Sequence, residues 1–564
     1  MLRLLALFVG LSMVAAGAPT VVRVAPNGDD KADGVRAPVA TLARARDAVR
    51  ALRQAGELPE GAEIVVAPGN YDLLEPVVFG PEDAGTKAAP LVVRAAGKEK
   101  PVLRGGPTLR DFSPYQGKIQ KCDLKALGLE GRAFNQLFFR GQRMPLARTP
   151  NLDPEDVHGG IWAHALGGDN SKPKRAFRYG EDIDPTNWQH PEDASVGIFC
   201  RYDWRWNWKR VKSVDLKRKM IEFTSDTTYE VYIGDRYFVK GVFEELDDPG
   251  EWYLDRRTWT VYFWPPQPIR QGDVSVAVSP SLIRLEKTAF VTVRGFVLEG
   301  CTSTGVGFAG ATDCRVEACE IRGTGAWGAR MDGGQRNTVF GCDVHHVGQG
   351  GIYVGGGDRK TLARGDNRAE NNVIHHNGVF QKTYNTGINL TGVGNFATHN
   401  LVYDTPHAGL VLSGNDNLLE YNTIHHTNLQ STDTGGVYSC PRDWTARGNT
   451  IRYNIWHDIG GFGKRSSWVP VQNGLVHFEY PHFTWAIYMD DPTSGNTIFG
   501  NILYRVPISG MHNHGGRDNA FDNNIIVDCP AFQAGRLAPN WSNWPRIKKL
   551  LHDYTKPGSP YLDH

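Results

Sequence analysis

The sequence predicts an all-β protein whose main part is a right-handed parallel β-helix, a coil in which each turn adds one short strand to each of three sheets. Two observations support this. A pair of asparagines five residues apart recurs six times in the second half of the chain, and its shortest steps, 22 and 23 residues, are about one turn of such a coil. A glycine or alanine followed by alternating apolar residues also recurs once in each unit.

The asparagine pairs predict the bends between stacked strands. The copies are Asn367/Asn372, Asn395/Asn400, Asn417/Asn422, Asn449/Asn454, Asn496/Asn501 and Asn519/Asn524. Asparagine tolerates a left-handed backbone, and its amide can bond to the amide of the next turn. We therefore expect two ladders of stacked asparagines, at which these residues are structural and not catalytic.

Earlier turns keep the same period with other side chains. Val293, Val316 and Val339 are 23 residues apart, as are Phe296, Cys319 and Cys342, so the coil begins before the first asparagine pair. Cys319 and Cys342 are expected to be stacked buried thiols or a disulfide.

The remaining segments divide the chain into five parts. The first residues have the basic start, apolar core and small residues of a signal peptide. Leu42, Ala45, Val49 and Leu52 mark one face of a helix that would cap the coil. The predicted parts are a signal peptide (1–16), a cap with the first turns (17–109), an inserted β-rich accessory domain (110–272), the coil with its groove (273–530) and a C-terminal tail (531–564).

Composition narrows the class of partner. The net charge is +1 with acids and bases interspersed, which predicts a neutral partner and neither nucleic acid nor membrane. With the signal peptide removed, we expect a secreted or periplasmic monomer. Residues 201–210 alternate aromatic and basic side chains, which we interpret as a half-buried strand packing on the coil, stacking of sugars or bases being the alternative.

Strand alternation predicts one polar and aromatic column outside the coil. Val437, Ser439, Ile487 and Met489 should face the core. The residues that should face outward are Tyr438, Cys440, Tyr488, Asp490, His512 and His514.

Two insertions lie beside this column. The step from Asn417 to Asn449 is 32 residues and the step from Asn449 to Asn496 is 47, and insertions in a solenoid often form a binding face. The second insertion, about 461–485, carries Trp468, Phe478, Tyr480, Phe483 and Trp485. Aromatic rings beside polar groups suit sugar rings, so we expect a groove for an oligo- or polysaccharide.

Cleavage of a glycosidic bond needs two carboxyl groups, one to protonate the leaving oxygen and one to act as nucleophile or base. The candidate catalytic residues are Asp490, Asp433, Asp443 and Asp491. Asp490 is the strongest candidate because it faces outward, with a solvated side chain or a structural calcium ligand as its alternatives. For the other three, a turn cap is an equal alternative.

Further residues are expected to contact the sugar. The candidate substrate-binding residues are Tyr438, Tyr488, His512, His514, Asn389, His407, Arg442, Trp444 and Trp485. No cofactor and no catalytic metal are expected. The pairs His345–His346, His375–His376, His425–His426 and His457–Asp458 follow the asparagine bends at one offset, which predicts structural stacks, with a metal site as the alternative.

With these residues identified, the chain resembles the right-handed β-helix enzymes of glycoside hydrolase family 141, whose activities include α-fucosidase and xylanase. The resemblance runs over most of the chain and is carried by PVATLARARDAVR (38–50), LFFRGQRMPLARTPN (137–151), DTGGVYSCPRDWTARGNTIRYNIWHDIGG (433–461) and WAIYMDDPTSGNTIFGNILY (485–504). It implies an aspartate pair, one member at Asp490–Asp491 and the other at Asp433 or Asp443. Cys440–Pro441 and the aromatic insertion depart from the family pattern and bear on the substrate.

Two other functions compete with hydrolysis. A polysaccharide lyase or epimerase acting on uronic acids would need a Lys, Arg, His or Tyr base together with calcium or arginine, and the outward column holds acids, tyrosines and histidines but no lysine or arginine. A glycan-binding β-helix without catalysis would use the same aromatic groove. Unsaturated product distinguishes a lyase from a hydrolase, which gives new reducing ends without it. A glycan-binding protein would show no turnover.

Overall fold

The structure is a computed structural model that describes residues 18–132, 134–465, 476–536 and 541–564. The predicted signal peptide and Trp468 lie outside the described residues. Three long parallel sheets, here called A, B and C, wind around one apolar core, as the sequence predicted. No helix among the described residues has the length and apolarity to cross a membrane.

Sheet A contains the strands Thr20–Val24, Ala62–Val66, Leu91–Ala95, Val291–Arg294, Arg315–Glu317, Thr338–Phe340, Arg368–Glu370, Phe396–Thr398, Leu418–Glu420, Thr450–Arg452, Thr497–Phe499 and Ala520–Asp522. Sheet B contains Asn70–Asp72, Val102–Arg104, Val297–Cys301, Glu320–Thr324, Asp343–His345, Val373–His375, Leu401–Tyr403, Thr423–Thr427, Ile455–Ile459, Ile502–Tyr504 and Ile525–Val527. Sheet C contains Val77–Phe79, Ile283–Glu286, Val306–Ala309, Ala329–Asp332, Ile352–Val354, Ile388–Leu390, Leu410–Leu412, Thr434–Ser439, Thr484–Met489, Ser509–His514 and Ala531–Arg536.

The predicted period sets the register of the turns. Val293 is paired with Val316, and Val316 with Val339, in parallel strands. Cys319 and Cys342 are buried free thiols, so the disulfide alternative is wrong. The last strand of sheet C, Ala531–Arg536, continues the coil beyond residue 530 into the segment predicted as a tail.

Both asparagine ladders are present. Asn449 donates to Asn496 Oδ1 (3.0 Å) across the longest insertion, and Asn454 donates to Asn501 Oδ1 (3.0 Å). The first ladder begins one turn earlier than predicted, because Asn337 donates to Asn367 Oδ1 (3.0 Å).

The left-handed conformation does not fall on the ladder residues, which corrects the expected role of asparagine at the bend. It falls on the residue before each one, for example Asp366, His399 and Tyr421. The ladder asparagines are buried and turn their amides inward, where each amide satisfies backbone groups of the neighbouring turn. Asparagine is therefore required at these positions for its hydrogen bonds inside the coil and not for a left-handed backbone.

The histidine pairs form a structural stack, as predicted. Along sheet B the rings of His345, His375, Tyr403, His425 and His457 lie on one another with centroids 4.7–5.2 Å apart, ending on Tyr504. These rings pack in register with the strands that carry them.

Helix α1, Leu42–Gln54, closes the first turn of the coil. The side chain of Thr41 accepts from the backbone N–H of Arg44 (3.2 Å), which caps the helix start. Leu42, Ala45 and Val49 are buried against the core, and Leu52 packs at its edge. The apolar face predicted from sequence is thus the packed face.

The accessory domain is β-rich and antiparallel, with its own apolar cores. Its strands are Ser113–Gln116, Ile119–Asp123, Leu137–Phe139, Gln142–Met144, Arg148–Thr149, Ala163–Leu166, Gly168–Asp169, Lys172–Arg178, Ser195–Phe199, Trp206–Asp215, Met220–Phe223, Ile233–Lys240, Trp252–Asp255, Thr260–Phe263 and Val274–Val276. Trp206 donates from its indole to the carbonyl of Phe380 in the coil (3.0 Å), so residues 201–210 do pack on the coil.

Part of the aromatic insertion packs on the accessory domain and not in the groove. Its strands Gly463–Lys464 and Phe478–Glu479 pair antiparallel. The guanidinium of Arg236 lies over the rings of Phe462 and Phe478, at 4.6 and 5.3 Å from their centroids. Phe483 and Trp485, at the end of the insertion, lie instead in the outer aromatic cluster of sheet C.

The C-terminal segment returns along the coil. Helix α2, Pro545–Tyr554, follows the last strand of sheet C. Tyr561 donates to Asn415 Oδ1 (3.2 Å), and His564 bonds to Asp416 (2.7 Å). Short 3-10 turns occur at Pro81–Asp83, Pro185–Asn187, Pro191–Asp193, Phe243–Glu245, Trp541–Asn543 and Pro560–Leu562.

Candidate active site

The outward column of sheet C forms as predicted, but two of its side chains are less exposed to solvent than expected. Tyr438 pairs with Tyr488, and Tyr488 with His512, on three consecutive turns. Ile487 and Met489 face the core as predicted. Tyr488 and His512 were expected to face solvent, but they are 4% and 9% exposed because aromatic side chains cover them.

A break in strand alternation produces this cover. Ala486 and Ile487 both belong to the core, whereas Trp485 joins the outer cluster with Tyr488. The Trp485 ring stacks on His512 with centroids 4.6 Å apart. On the preceding strand, a Cβ at Gly435 would lie 2.7 Å from the Val437 carbonyl oxygen, so only glycine fits this bend.

Asp490 lies at the centre of a hydrogen-bond network. Its carboxylate accepts from the Tyr438 hydroxyl (2.7 Å), from His514 Nδ1 (2.7 Å) and from the backbone N–H of Asp491 (2.7 Å). Burial alone would raise the pKa of Asp490, but the donors His514, Tyr438 and the Asp491 N–H together hold it below its ordinary value. Asp490 is therefore a carboxylate at neutral pH.

Asp433 has the opposite electrostatic environment. Its carboxyl group accepts one long contact from a side chain of the described residues, the Tyr488 hydroxyl at 3.5 Å from Oδ1. Burial and the negative charge of Asp490 raise the pKa of Asp433 to about 7. Two carboxyl groups whose pKa values are driven apart are the arrangement that acid and base catalysis requires.

Asp491 and Asp443 are held by arginines. Asp491 is paired with Arg442 Nε, and the Cys440 thiol lies 3.4 Å from the same carboxylate. Asp443 is 3% exposed, pairs with Arg359 (2.9 Å) and accepts twice from Thr445. The contacts of Asp443 are thus those of a residue that caps a turn, which was the alternative to a catalytic role.

The other predicted substrate-binding residues lie in different places. His407 is 1% exposed beneath the Tyr384 ring, and burial lowers its pKa to about 3, so it is a buried neutral histidine and not a groove residue. Trp444 lies under the guanidinium of Arg517 (4.2 Å). Asn389 lies two strands before Tyr438 in the same column, where it accepts from Thr386 (2.6 Å).

An open cavity of about 510 Å³ lies beside this column, between the coil, the accessory domain and α2. Tyr438 joins the cavity to the aspartates, since its ring lines the wall while its hydroxyl donates to Asp490. The lining also includes Trp204, Arg205, Tyr384, Arg442 and Arg546. Sequence reasoning missed Tyr384 and Arg546 because neither belongs to a repeat.

One group of possible metal ligands is present in the described part of the chain. The thiol of Cys440 and the carboxylates of Asp490 and Asp491 place one atom each within 4.8 Å of one another. Calcium prefers an all-oxygen shell, and burial raises the pKa of the Cys440 thiol, which keeps it protonated. Because one of the three possible ligands is a thiol, this group does not fit the structural calcium site that was the alternative for Asp490.

Comparison with known proteins supports the fold. The family described as a right-handed β-helix region matches residues 281–366 and 304–526. A solved structure described as "Glycoside hydrolase" is 18% identical with a TM-score of 0.71, over 93% of this chain and all of that chain. No curated protein matches.

Two further solved structures have lower TM-scores. The complex of XylC with xylose has a TM-score of 0.44 at 12% identity, over 90% of this chain and 86% of that one. Pectate lyase Pel9A has a TM-score of 0.34 at 11% identity, over 92% and 77%. The family match and the first structure confirm that the chain has the right-handed parallel β-helix fold.

Proposed function

We propose that this protein is a glycoside hydrolase that uses Asp433 as general acid and Asp490 as nucleophile or general base. The observation that carries the proposal is the pair of opposed pKa shifts, because glycosidic cleavage requires one protonated and one ionised carboxyl group. The resemblance to glycoside hydrolase family 141, which implies an aspartate pair, supports this proposal.

The chemical step follows from these protonation states. Asp433 gives its proton to the glycosidic oxygen as the bond to the anomeric carbon breaks. Asp490 then either bonds to that carbon, in a retaining enzyme, or takes a proton from the attacking water, in an inverting one. The anomeric configuration of the first product distinguishes the two routes.

The groove offers binding groups suited to a sugar. Its volume falls in the range of about 300–1,000 Å³ that small-molecule pockets occupy. Trp204, Tyr384 and Tyr438 supply ring faces, and Arg205 and Arg442 supply donors for hydroxyl groups. A neutral glycan is the proposed partner, acted on by an exported monomer.

The test is a panel of plant and algal glycans, both neutral and uronate-containing, assayed with the wild-type protein and Asp490→Asn. We expect new reducing ends without unsaturated product on at least one glycan, and their loss in Asp490→Asn. Retention of glycan without turnover across the panel would overturn the proposal in favour of a binding protein.

A polysaccharide lyase is the second candidate, favoured by one observation. Although the outward column itself holds no lysine or arginine, Arg205, Arg442 and Arg546 reach the groove from outside it. Arginines could neutralise a uronate carboxylate while a base takes the proton α to it and the bond to the leaving glycosidic oxygen breaks, which leaves an unsaturated sugar. Unsaturated product from a uronate glycan, with no excess of reducing ends, would establish this alternative.

A further inference from the structure

We propose that a second cavity, between the accessory domain and the coil, is a binding site for an oxyanion, that is, a sulfate, phosphate or carboxylate group. This cavity is about 370 Å³ in volume and is lined by residues other than those of the groove. The inference is independent of the proposed hydrolase activity.

Four cationic side chains converge on this cavity. Arg143, Arg148 and Lys240 come from strands of the accessory domain or their ends, and Lys382 comes from the coil, in the loop before the strand Ile388–Leu390. The opening lies beside Leu152 and Val157, which are 37% and 55% exposed. A small anion can therefore reach the cations from solvent.

Among the described residues none of the four charged groups makes an ion pair, although the Glu251 carboxyl, which accepts from the Arg148 backbone N–H, lies near Arg148. The Lys240 ammonium lies over the rings of Trp208 and Phe380, at 4.0 and 5.0 Å from their centroids. The Arg143 guanidinium donates to Gln136 and to backbone carbonyls. Throughout the described residues, no carboxylate oxygen lies within 4.0 Å of the charged nitrogens of the four side chains, and the Lys382 ammonium makes no hydrogen bond.

Other buried cations of this protein are paired, which makes the cavity unusual within the molecule. Lys464 is paired with Asp235, and Arg236 with Asp203. Burying a charge without a partner is strongly unfavourable, and four like charges in one cavity also repel one another. An oxyanion would relieve both effects, since it accepts hydrogen bonds and carries the opposite charge.

The lysine pKa values agree with this geometry. Burial, with the charges of Arg148, Arg143 and Lys382, lowers the pKa of Lys240 to about 7. Burial and Arg148 lower the pKa of Lys382 to about 8. A bound anion favours the charged ammonium, so binding should take up protons near neutral pH and weaken as the pH rises.

The other titratable groups on the wall do not replace the anion. His346 and His376 are both neutral near pH 7, because burial and neighbouring charges lower their pKa values. Asp404 lies 3.8 Å from His376, and the Asp153 and Asp156 carboxylates accept from backbone N–H groups of their own loop. These three aspartates also line the cavity, but none of their carboxylates is paired with a charged nitrogen of the four cationic side chains.

The experiment is isothermal titration of the full protein with sodium sulfate, sodium phosphate and sodium glucuronate at about pH 6 and pH 8.5, against sodium chloride at equal ionic strength. We expect millimolar or tighter binding at the lower pH, roughly tenfold weaker at the higher pH. Repeating the titration in buffers of different ionisation heat should show proton uptake. Preference for glucuronate over the inorganic ions would identify a sugar acid as the source of the charge.

Lys240→Met and Lys382→Met should each weaken binding about tenfold or more, with Lys217→Met, an exposed lysine of the accessory domain, as the matched control. Because each cavity variant removes a buried charge, its melting temperature without anion should equal or exceed that of the wild type. Equal binding by the cavity variants, or no heat beyond the chloride control, would overturn the proposal.

Discussion

At the scale of single residues, Asp490 and Asp433 differ in the number of donors around each carboxyl group. Asp490 accepts three hydrogen bonds of 2.7 Å, whereas Asp433 has one long contact to Tyr488. Donors stabilise the ionised form, and burial without them stabilises the neutral form. The proposed division of roles between the aspartates therefore rests on their surroundings.

Asp490→Asn should abolish turnover because asparagine keeps the volume but cannot act as nucleophile or base. Since the side chain is half-buried in a network, we expect a loss of about 1–2 kcal/mol in the free energy of unfolding. Asp443→Asn is the control, because it breaks the pair with Arg359 and should lower stability by about 1–3 kcal/mol with kcat nearly unchanged. Urea unfolding measures the stability of the two variants, and steady-state kinetics measure their kcat. Loss of turnover in Asp443→Asn with activity retained in Asp490→Asn would move the catalytic role to Asp443.

Tyr438→Phe removes one donor to Asp490 while keeping the ring in the groove. The pKa of Asp490 should rise, and the acid limb of the pH–rate profile, where protonation of Asp490 stops the reaction, should move up by about one pH unit. Tyr384→Phe is the matched control because Tyr384 lines the same groove and does not donate a hydrogen bond to Asp490. An unchanged acid limb in Tyr438→Phe would show that Asp490 is not the group that titrates.

At the scale of structural elements, the asparagine ladders fasten consecutive turns. The Asn454 amide donates to Leu419 O and Asn501 Oδ1 and accepts from the backbone N–H and amide of Asn422. All of these groups are buried, and each loses one hydrogen bond if the amide is removed. The ladder is therefore a continuous line of satisfied polar groups along the coil.

Asn454→Ala should lower the free energy of unfolding by about 2–4 kcal/mol, since it leaves several buried polar groups unsatisfied. The exposed strand residue Asn70 gives the matched control, and Asn70→Ala should change stability by less than about 0.5 kcal/mol. Urea unfolding monitored by circular dichroism compares the two. Equal effects would mean that the ladder adds nothing beyond the strands.

The coil could be predicted because its sequence repeats. The features of the coil that were not predicted lie where the repeat is incomplete. Asn337 was missed because position 342, five residues on, is a cysteine. The predicted exposure of Tyr488 was wrong because strand alternation breaks at Ala486, which brings Trp485 to the outside beside Tyr488. Such a break in the pleat cannot be recognised from the spacing of residues in the sequence. Asp490 could be identified from periodicity, whereas choosing Asp433 over Asp443 required their contacts.

At the scale of the whole molecule, three separate parts of the chain build the groove. Sheet C supplies Tyr438, the accessory domain supplies Trp204 and Arg205, and α2 supplies Arg546. Only the first of these belongs to the repeat. The non-repeating walls could not be predicted from the sequence, because their position depends on how the accessory domain docks on the coil.

Trp204→Ala should test this composite groove. Trp204 stacks on Tyr202 at 4.1 Å and lines the cavity away from the aspartates, so its loss should raise KM about tenfold with little change in kcat. Trp259→Ala, in the same domain but outside the groove, is the control. A fall in kcat without a change in KM would contradict a role limited to binding.

The most direct test of the central claim is the titration of the Asp433 carboxyl group, followed by difference infrared spectroscopy of the carboxylic acid band from acid to alkaline pH. If Asp433 is the acid, the wild type has a band component that disappears with a midpoint near the pKa of about 7, is missing from Asp433→Asn and moves to lower pH in Asp490→Asn, which removes the neighbouring charge. The buried carboxyl groups of Glu251 and Asp235, whose pKa values burial raises to about 8 and about 6, give components that Asp433→Asn leaves in place. The same pH dependence of the band in the wild type and in Asp433→Asn would contradict the assignment of Asp433 as the acid.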